Sequence, residues 1–182
     1  LNTGQAQALP TSSNQVERPR WSPDGQYLAY LAREEDLCQV HIVRLAPVTY
    51  TAQEDSVVAN CAPNTRVGFN SVQWSFDNKY LYFYQSIDYR TRLVQLDWRN
   101  NIETPIEDLQ PYVFALHPRA AKLAYAEPSA MSTQLSIRDF NAHTDTPLIT
   151  RNEVFIGLSI DPLTEHIVST SSLVGGQLET IS

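Results

Sequence analysis

Four histidines, two cysteines and 20 acidic side chains are what this 182-residue chain offers for acid–base, nucleophilic or metal chemistry. The histidines, His41, His117, His143 and His166, lie far apart. No His-Glu-x-x-His and no Cys-x-x-Cys sets two ligands at metal spacing, so neither a metal nor a cofactor is expected. His117 and His166 fall in turn regions where other copies of a repeat carry Ser22 or Tyr27; that substitution pattern reads as surface variation. The nearest approach to a nucleophile elbow is Gly157-Leu158-Ser159-Ile160-Asp161, which lacks the second glycine and sits on a strand rather than a strand-to-helix turn. A phosphate loop needs several glycines ahead of a lysine, and the six glycines here form none. The acid run Glu34-Glu35-Asp36 fits a solvated hairpin tip. No catalytic residue is assigned, and the expectation is binding rather than catalysis.

The bulk composition narrows the partners. With 42% hydrophobic and 18% charged residues the chain is globular. A net charge of −7 without a basic stripe argues against nucleic acid as a ligand. The apolar runs, such as Tyr80–Tyr84 and Val154–Ile160, fall far short of the roughly 20 residues that span a bilayer, so no membrane insertion is expected. No basic-then-apolar leader opens the sequence.

The elements that would position any site come from a repeat. Trp21-Ser22-Pro23-Asp24-Gly25-Gln26-Tyr27-Leu28-Ala29-Tyr30 is echoed by Trp74-Ser75-Phe76-Asp77-Asn78-Lys79-Tyr80-Leu81-Tyr82-Phe83. Weaker copies run from Leu116 to Tyr125 and from Ile160 to Ser169, with Pro23, Pro118 and Pro162 aligned. The anchors Leu28, Leu81, Leu123 and Ile167 are spaced by 53, 42 and 44 residues, a period typical of propeller blades. Asp24-Gly25 and Asp77-Asn78 supply the positive-φ residues that a tight strand reversal needs. Third strands are predicted at Gln39–Leu45, Arg92–Asp97, Gln134–Phe140 and Gln177–Ile181, and fourth strands at Ser56–Asn60, Pro147–Thr150 and Ile102–Pro105, with a short helical turn as another reading of Ile102–Gln110. Trp21 and Trp74 are expected to pack between blades.

Cys38 and Cys61 lie in the longest repeat interval, on the predicted third and fourth strands. Antiparallel strands centred between them would put the two side by side, at a separation a disulfide accepts. Such a bond contributes about 3 kcal/mol by the chain-entropy model and implies an oxidising compartment. The alternative is a pair of reduced, buried thiols.

These copies resemble the β-propeller repeat of the TolB family. Arg18-Pro19-Arg20-Trp21-Ser22-Pro23-Asp24-Gly25 carries the resemblance best, Val72–Phe83 less closely, and the last two copies only at the proline, the anchor and the spacing. The resemblance implies an all-β fold of about four four-stranded antiparallel blades, approximately 14–62, 66–108, 111–151 and 153–182. Residues 1–10 would then form an outer strand of the last blade or of a preceding one. Repeats of this family occur in TolB, in the propellers of prolyl-oligopeptidase-like serine peptidases, and in the periplasmic part of CadC-like winged-helix transcription regulators. The resemblance therefore implies a non-catalytic, extracytoplasmic binding or sensor segment of a larger protein, with a TolB-like interaction scaffold or a peptidase propeller as alternatives. Ligand or protein contacts are expected at the loop face formed by the second-to-third strand tips, with Arg18, Arg20, Tyr89 and Arg90 as candidates. Exposed blade edges would favour a homodimer.

Overall fold

The turns that punctuate the repeat decide the architecture. Ser22 N–H donates to Tyr27 C=O at 2.9 Å and Gly25 N–H to Ser22 C=O at 2.9 Å. The Asp24 carboxylate accepts from the Ser22 hydroxyl at 2.6 Å and from Gln26 N–H at 3.0 Å, while Tyr27 N–H donates to Ser22 Oγ at 2.9 Å. Gly25 takes φ 70°, which its missing Cβ permits. Ser75, Asp77, Lys79 and Tyr80 repeat the same bonds, with Asn78 at φ 64°. Each reversal sends the chain back as an antiparallel neighbour.

The structure is a computed structural model and describes residues 8–9, 11–13, 15–34, 37–47, 49, 51–63, 71–88, 90–171 and 178–181. Blade 1 comprises β1 (Val16–Trp21), β2 (Tyr27–Glu34), β3 (Leu37–Leu45) and β4 (Ala52–Asn60). Blade 2 follows as β5 (Gln73–Trp74), β6 (Tyr80–Ile87), β7 (Arg90–Asp97) and β8 (Ile102–Pro105). Blade 3 is β9 (Val113–Leu116), β10 (Lys122–Ser129), β11 (Ser132–Asp139) and β12 (Thr144–Arg151), and blade 4 is β13 (Phe155–Ile160), β14 (Ile167–Ser171) and β15 (Leu178–Ile181). Strands neighbour one another in chain order within each sheet, giving three four-stranded sheets and one three-stranded sheet among the described residues. All pairings are antiparallel. The inner strands β1, β5, β9 and β13 adjoin in that order, so the sheets stand radially as propeller blades.

The core lies between blades rather than inside one layer. Alternation along β6 sends Leu81 and Phe83 toward blade 1 and Tyr82 and Tyr84 toward blade 3. Being buried on both faces, such a strand reads as an unbroken apolar run. Ala29, Leu31, Val40 and Ile42 meet Trp74, Leu81, Phe83 and Val94 at the first interface; Ala124, Ala126 and Leu135 meet Phe155 and Ile167 at the third.

Several expectations need correcting. Ile102–Gln110 forms no helix: Ile102–Pro105 is β8, and a turn follows. Trp74 packs between blades, 7% exposed, against Tyr27 and Trp98, with its Nε1–H donating to Arg20 C=O at 2.9 Å. Trp21, its counterpart, is 53% exposed, because no blade precedes blade 1 among the described residues. The outer strand expected over residues 1–10 falls almost wholly outside the described residues, and 8 and 9 are not in a strand.

Candidate functional site

A serine, a histidine and an aspartate do converge, on blade 1. The Asp55 carboxylate on β4 accepts from Ser12 N–H at 2.9 Å, from the Ser12 hydroxyl at 3.0 Å and from the Tyr30 hydroxyl at 2.8 Å, and His41 Nδ1 lies 3.1 Å from its other oxygen. The His41 ring stacks on Tyr30 with centroids 4.9 Å apart. A nucleophilic triad needs the serine at one ring nitrogen and the aspartate at the other. Here both stand at Nδ1, with Ser12 Oγ at 3.3 Å. His41 Nε2 is buried without a hydrogen-bond partner among the described residues. Burial raises the Asp55 carboxyl, but hydrogen bonds from Tyr30, Ser12 and His41 outweigh it and hold it below the usual range; burial and the same carboxylate raise Tyr30. The cluster stores a carboxylate and ties the segment at Ser12 to the blade. It presents no activated hydroxyl.

The same Tyr-to-Asp brace recurs in blade 3, where the Tyr125 hydroxyl donates to Asp145 at 2.9 Å. Tyr30 and Tyr125 both stand two residues after their blade anchors, Leu28 and Leu123. Arg138 clasps Asp145 through Nε at 2.9 Å and through Nη2, and also reaches Asp108 at 2.7 Å in the connection from blade 2. Across the same interface the Gln73 side chain donates to Phe114 C=O at 2.9 Å and accepts from Leu116 N–H at 2.9 Å. Tyr112 accepts Phe155 N–H at 3.0 Å between blades 3 and 4. His117 is 5% exposed rather than a surface variant: its Nδ1 accepts Arg119 N–H at 3.1 Å within its own turn, while the Lys122 N–H, equivalent to those that Ser22 and Ser75 accept, goes to Ala120 C=O at 2.8 Å. The polar clusters thus hold turns and blades, and among the described residues no three His, Cys, Asp or Glu side chains converge as a metal site.

Cys38 and Cys61 form a disulfide with Cα atoms 4.9 Å apart. The pairing of Gln39 with Asn60 brings them opposite each other, as the spacing predicts. The bond closes the end of β3 and β4 beside the connection into blade 2, where Ala62 N–H donates to Tyr84 C=O at 2.9 Å.

The candidate binding residues do not form one patch. Arg18 sits in a bulge of β1 at φ 54°, and Arg20 follows it near the first turn. Arg90 opens β7 at the opposite, tip end of blade 2, about 20 Å away along a strand of this length. Tyr89 lies outside the described residues, as do Glu35 and Asp36 of the acid run.

A groove of about 420 Å³ opens on the other face, between the first turns of blades 2 and 3. Phe76, Tyr80, Tyr82 and Phe140 give it aromatic walls, and Lys79, Gln95, Lys122 and Asn141 bring polar groups. Tyr82 is pushed up to about 12 by burial, against a hydrogen bond donated by Gln95. It stays protonated at neutral pH. The residues are visible in the sequence as part of the repeat, but their convergence depends on the angle between blades, which no local pattern encodes.

No known family profile matches this chain, and no curated protein does either. Solved structures do resemble it. What the geometry defines first is a β-propeller segment of radial antiparallel blades. The TolB propeller is similar in form: over 91% of this chain and 40% of the other, TolB from Acinetobacter baumannii superposes with a TM-score of 0.71 at 15% identity. An oligogalacturonate lyase from Vibrio parahaemolyticus gives 0.60 at 11% identity over 89% of this chain and 48% of its own. An auxiliary nutrient binding protein from Bacteroides thetaiotaomicron gives 0.58 at 14% over 91% and 42%. The chain thus spans less than half the length of each of these three proteins. At such identities the likeness establishes the fold; a shared fold hosts unrelated functions.

Proposed function

We propose that this chain is a non-catalytic binding propeller within a larger extracytoplasmic protein, and that its ligand enters the groove between blades 2 and 3. The observation that carries this reading is the division of labour among polar side chains. The converging serine, histidine and aspartate of blade 1, Ser12, His41 and Asp55, are committed to bracing the fold. Those of the groove, Lys79 and Asn141 among them, line open space beside aromatic walls, the composition of a small-molecule site. The disulfide supports an oxidising compartment, and the periplasmic sensor of a membrane-anchored, CadC-like regulator is the finer form of the proposal.

Two substitutions that spare the core, Phe76→Ser and Lys79→Ala, test it. A thermal-shift screen of small molecules is expected to yield compounds that stabilise the chain but not the double variant. Fluorogenic peptides are expected to remain uncleaved. Peptide turnover that scales with protein concentration would defeat the reading, as would ligands that stabilise the variant equally well.

The flank of blade 1 is a second surface. Val16 is 47% and Trp21 53% exposed on a strand whose counterparts β5 and β9 carry buried residues. Self-association through this flank is the corresponding proposal, checked by sedimentation velocity: Val16→Glu is expected to keep the chain monomeric at concentrations where the unmodified chain dimerises, and an unchanged profile contradicts it.

A further inference from the structure

We infer that the outer edge of blade 2 accepts an extended, acidic peptide segment as an added strand beyond the end of β8. This site lies at the tip end of the blade, away from the groove, and does not depend on it. The register of β7 with β8 shows where pairing stops. Val94, Gln95, Leu96 and Asp97 stand opposite Pro105, Thr104, Glu103 and Ile102, and Ile106 N–H donates to Leu93 C=O at 2.9 Å. Main-chain groups of an antiparallel strand turn to one side at every second residue. The bond at Leu93 therefore makes Leu93, Gln95 and Asp97 the outward-facing set, and one step toward the tip adds Thr91.

Continuing that register would place Asp108 opposite Thr91. The chain instead turns, with Leu109 N–H on Ile106 C=O at 3.4 Å, and Arg138 of blade 3 holds the Asp108 carboxylate at 2.7 Å. The inter-blade tether thus removes the strand that would have covered the tip. Among the described residues no hydrogen bond falls on the outward N–H and C=O of Thr91. Blades 1 and 3 close the equivalent end: β4 pairs as far as Asn60 with the disulfide beyond it, and β12 pairs as far as Arg151 opposite Thr133. Blade 2 keeps a notch there, about 390 Å³, lined by Arg90, Thr91, Arg92, Glu107 and Gln110.

The charge in the notch names the partner. Glu107 pairs with Arg92 at 2.6 Å, whereas Arg90 is exposed and makes no salt bridge among the described residues. An exposed guanidinium beside an open rung suits a carboxylate carried on an extended backbone, a local attraction that acts against the chain's net charge of −7. The peptide would exchange main-chain hydrogen bonds with Thr91 and set its acidic side chain against Arg90, as strand-addition complexes do.

The test is selection of a phage-displayed random peptide library on the 182-residue chain, followed by fluorescence anisotropy with the enriched peptides. Arg90→Glu reverses the charge at an exposed site. Thr91→Pro deletes only the outward N–H and leaves the rungs to β6 in place; unchanged circular dichroism and melting temperature verify that both variants fold. Enriched peptides are expected to be acidic and to lose about tenfold in affinity on each variant. Failure to enrich acidic sequences would overturn the inference. So would full binding to Thr91→Pro together with loss on Arg90→Glu, because charge alone would then explain the contact.

Discussion

Aspartates in this chain act as structural acceptors, and their protonation is the most direct handle on that role. Asp145 is held below the usual carboxylate range by Arg138 first, then by Tyr125, against the opposing effect of burial. A depressed folded value means that its stabilising contribution is complete above the unfolded value of about 4 and disappears as pH falls through the folded one. Asp145→Asn is therefore expected to cost about 1 kcal/mol at neutral pH, with the difference in melting temperature from the unmodified chain closing as pH drops below about 4. A gap that persists in acid would show that packing, not charge, is what the substitution disturbs. Ser75→Ala removes the acceptor for Tyr80 N–H and is expected to cost about 1 kcal/mol in denaturant unfolding. At this scale the sequence is uneven as a guide. The Ser-x-Asp-Gly turn is legible because its bonds are made within six residues. The burial of His117 is not, since only the folded turn shows its imidazole nitrogen turned inward to accept Arg119 N–H.

Strands and their connections carry most of the stability. The disulfide that ties β3 to β4 predicts that the Cys38→Ser, Cys61→Ser chain unfolds with about 3 kcal/mol less stability, and that reductant brings the unmodified chain to the same denaturation midpoint. Equal midpoints with and without reductant would contradict a structural role. Gln73 joins β5 to β9 by two bonds to the neighbouring backbone; Gln73→Leu leaves Phe114 C=O and Leu116 N–H unpaired and is expected to cost about 2 kcal/mol, read from urea unfolding. Element positions were readable wherever a strand is buried on both faces, as β6 and β10 are, because every residue of the run must then be apolar or paired. Edge strands such as β8 gave a weaker pattern, which is why a helical turn competed there. The facing positions of Cys38 and Cys61 followed from register alone.

The molecule as a whole is held together between blades, and its candidate sites lie where that packing leaves openings. Four repeated turns and their period sufficed to anticipate radial antiparallel sheets. They could not locate the groove, which exists only once the turns at Ser75–Lys79 and His117–Ala121 face each other across an interface. Nor could they separate Arg20 from Arg90, since a repeat states which residues are equivalent but not at which end of a blade each side chain emerges. The exposed tips suggested one binding face, whereas the aromatic-walled groove opens on the opposite one. Amide chemical-shift mapping of a fragment library on the isotopically labelled chain tests the central claim most directly. The account predicts shifts concentrated at Tyr80, Gln95, Ala121 and Asn141, with Ser13, Val40 and Val57 unmoved. Shifts centred instead on the Ser12, His41 and Asp55 cluster, or no fragment held between blades 2 and 3, would contradict it.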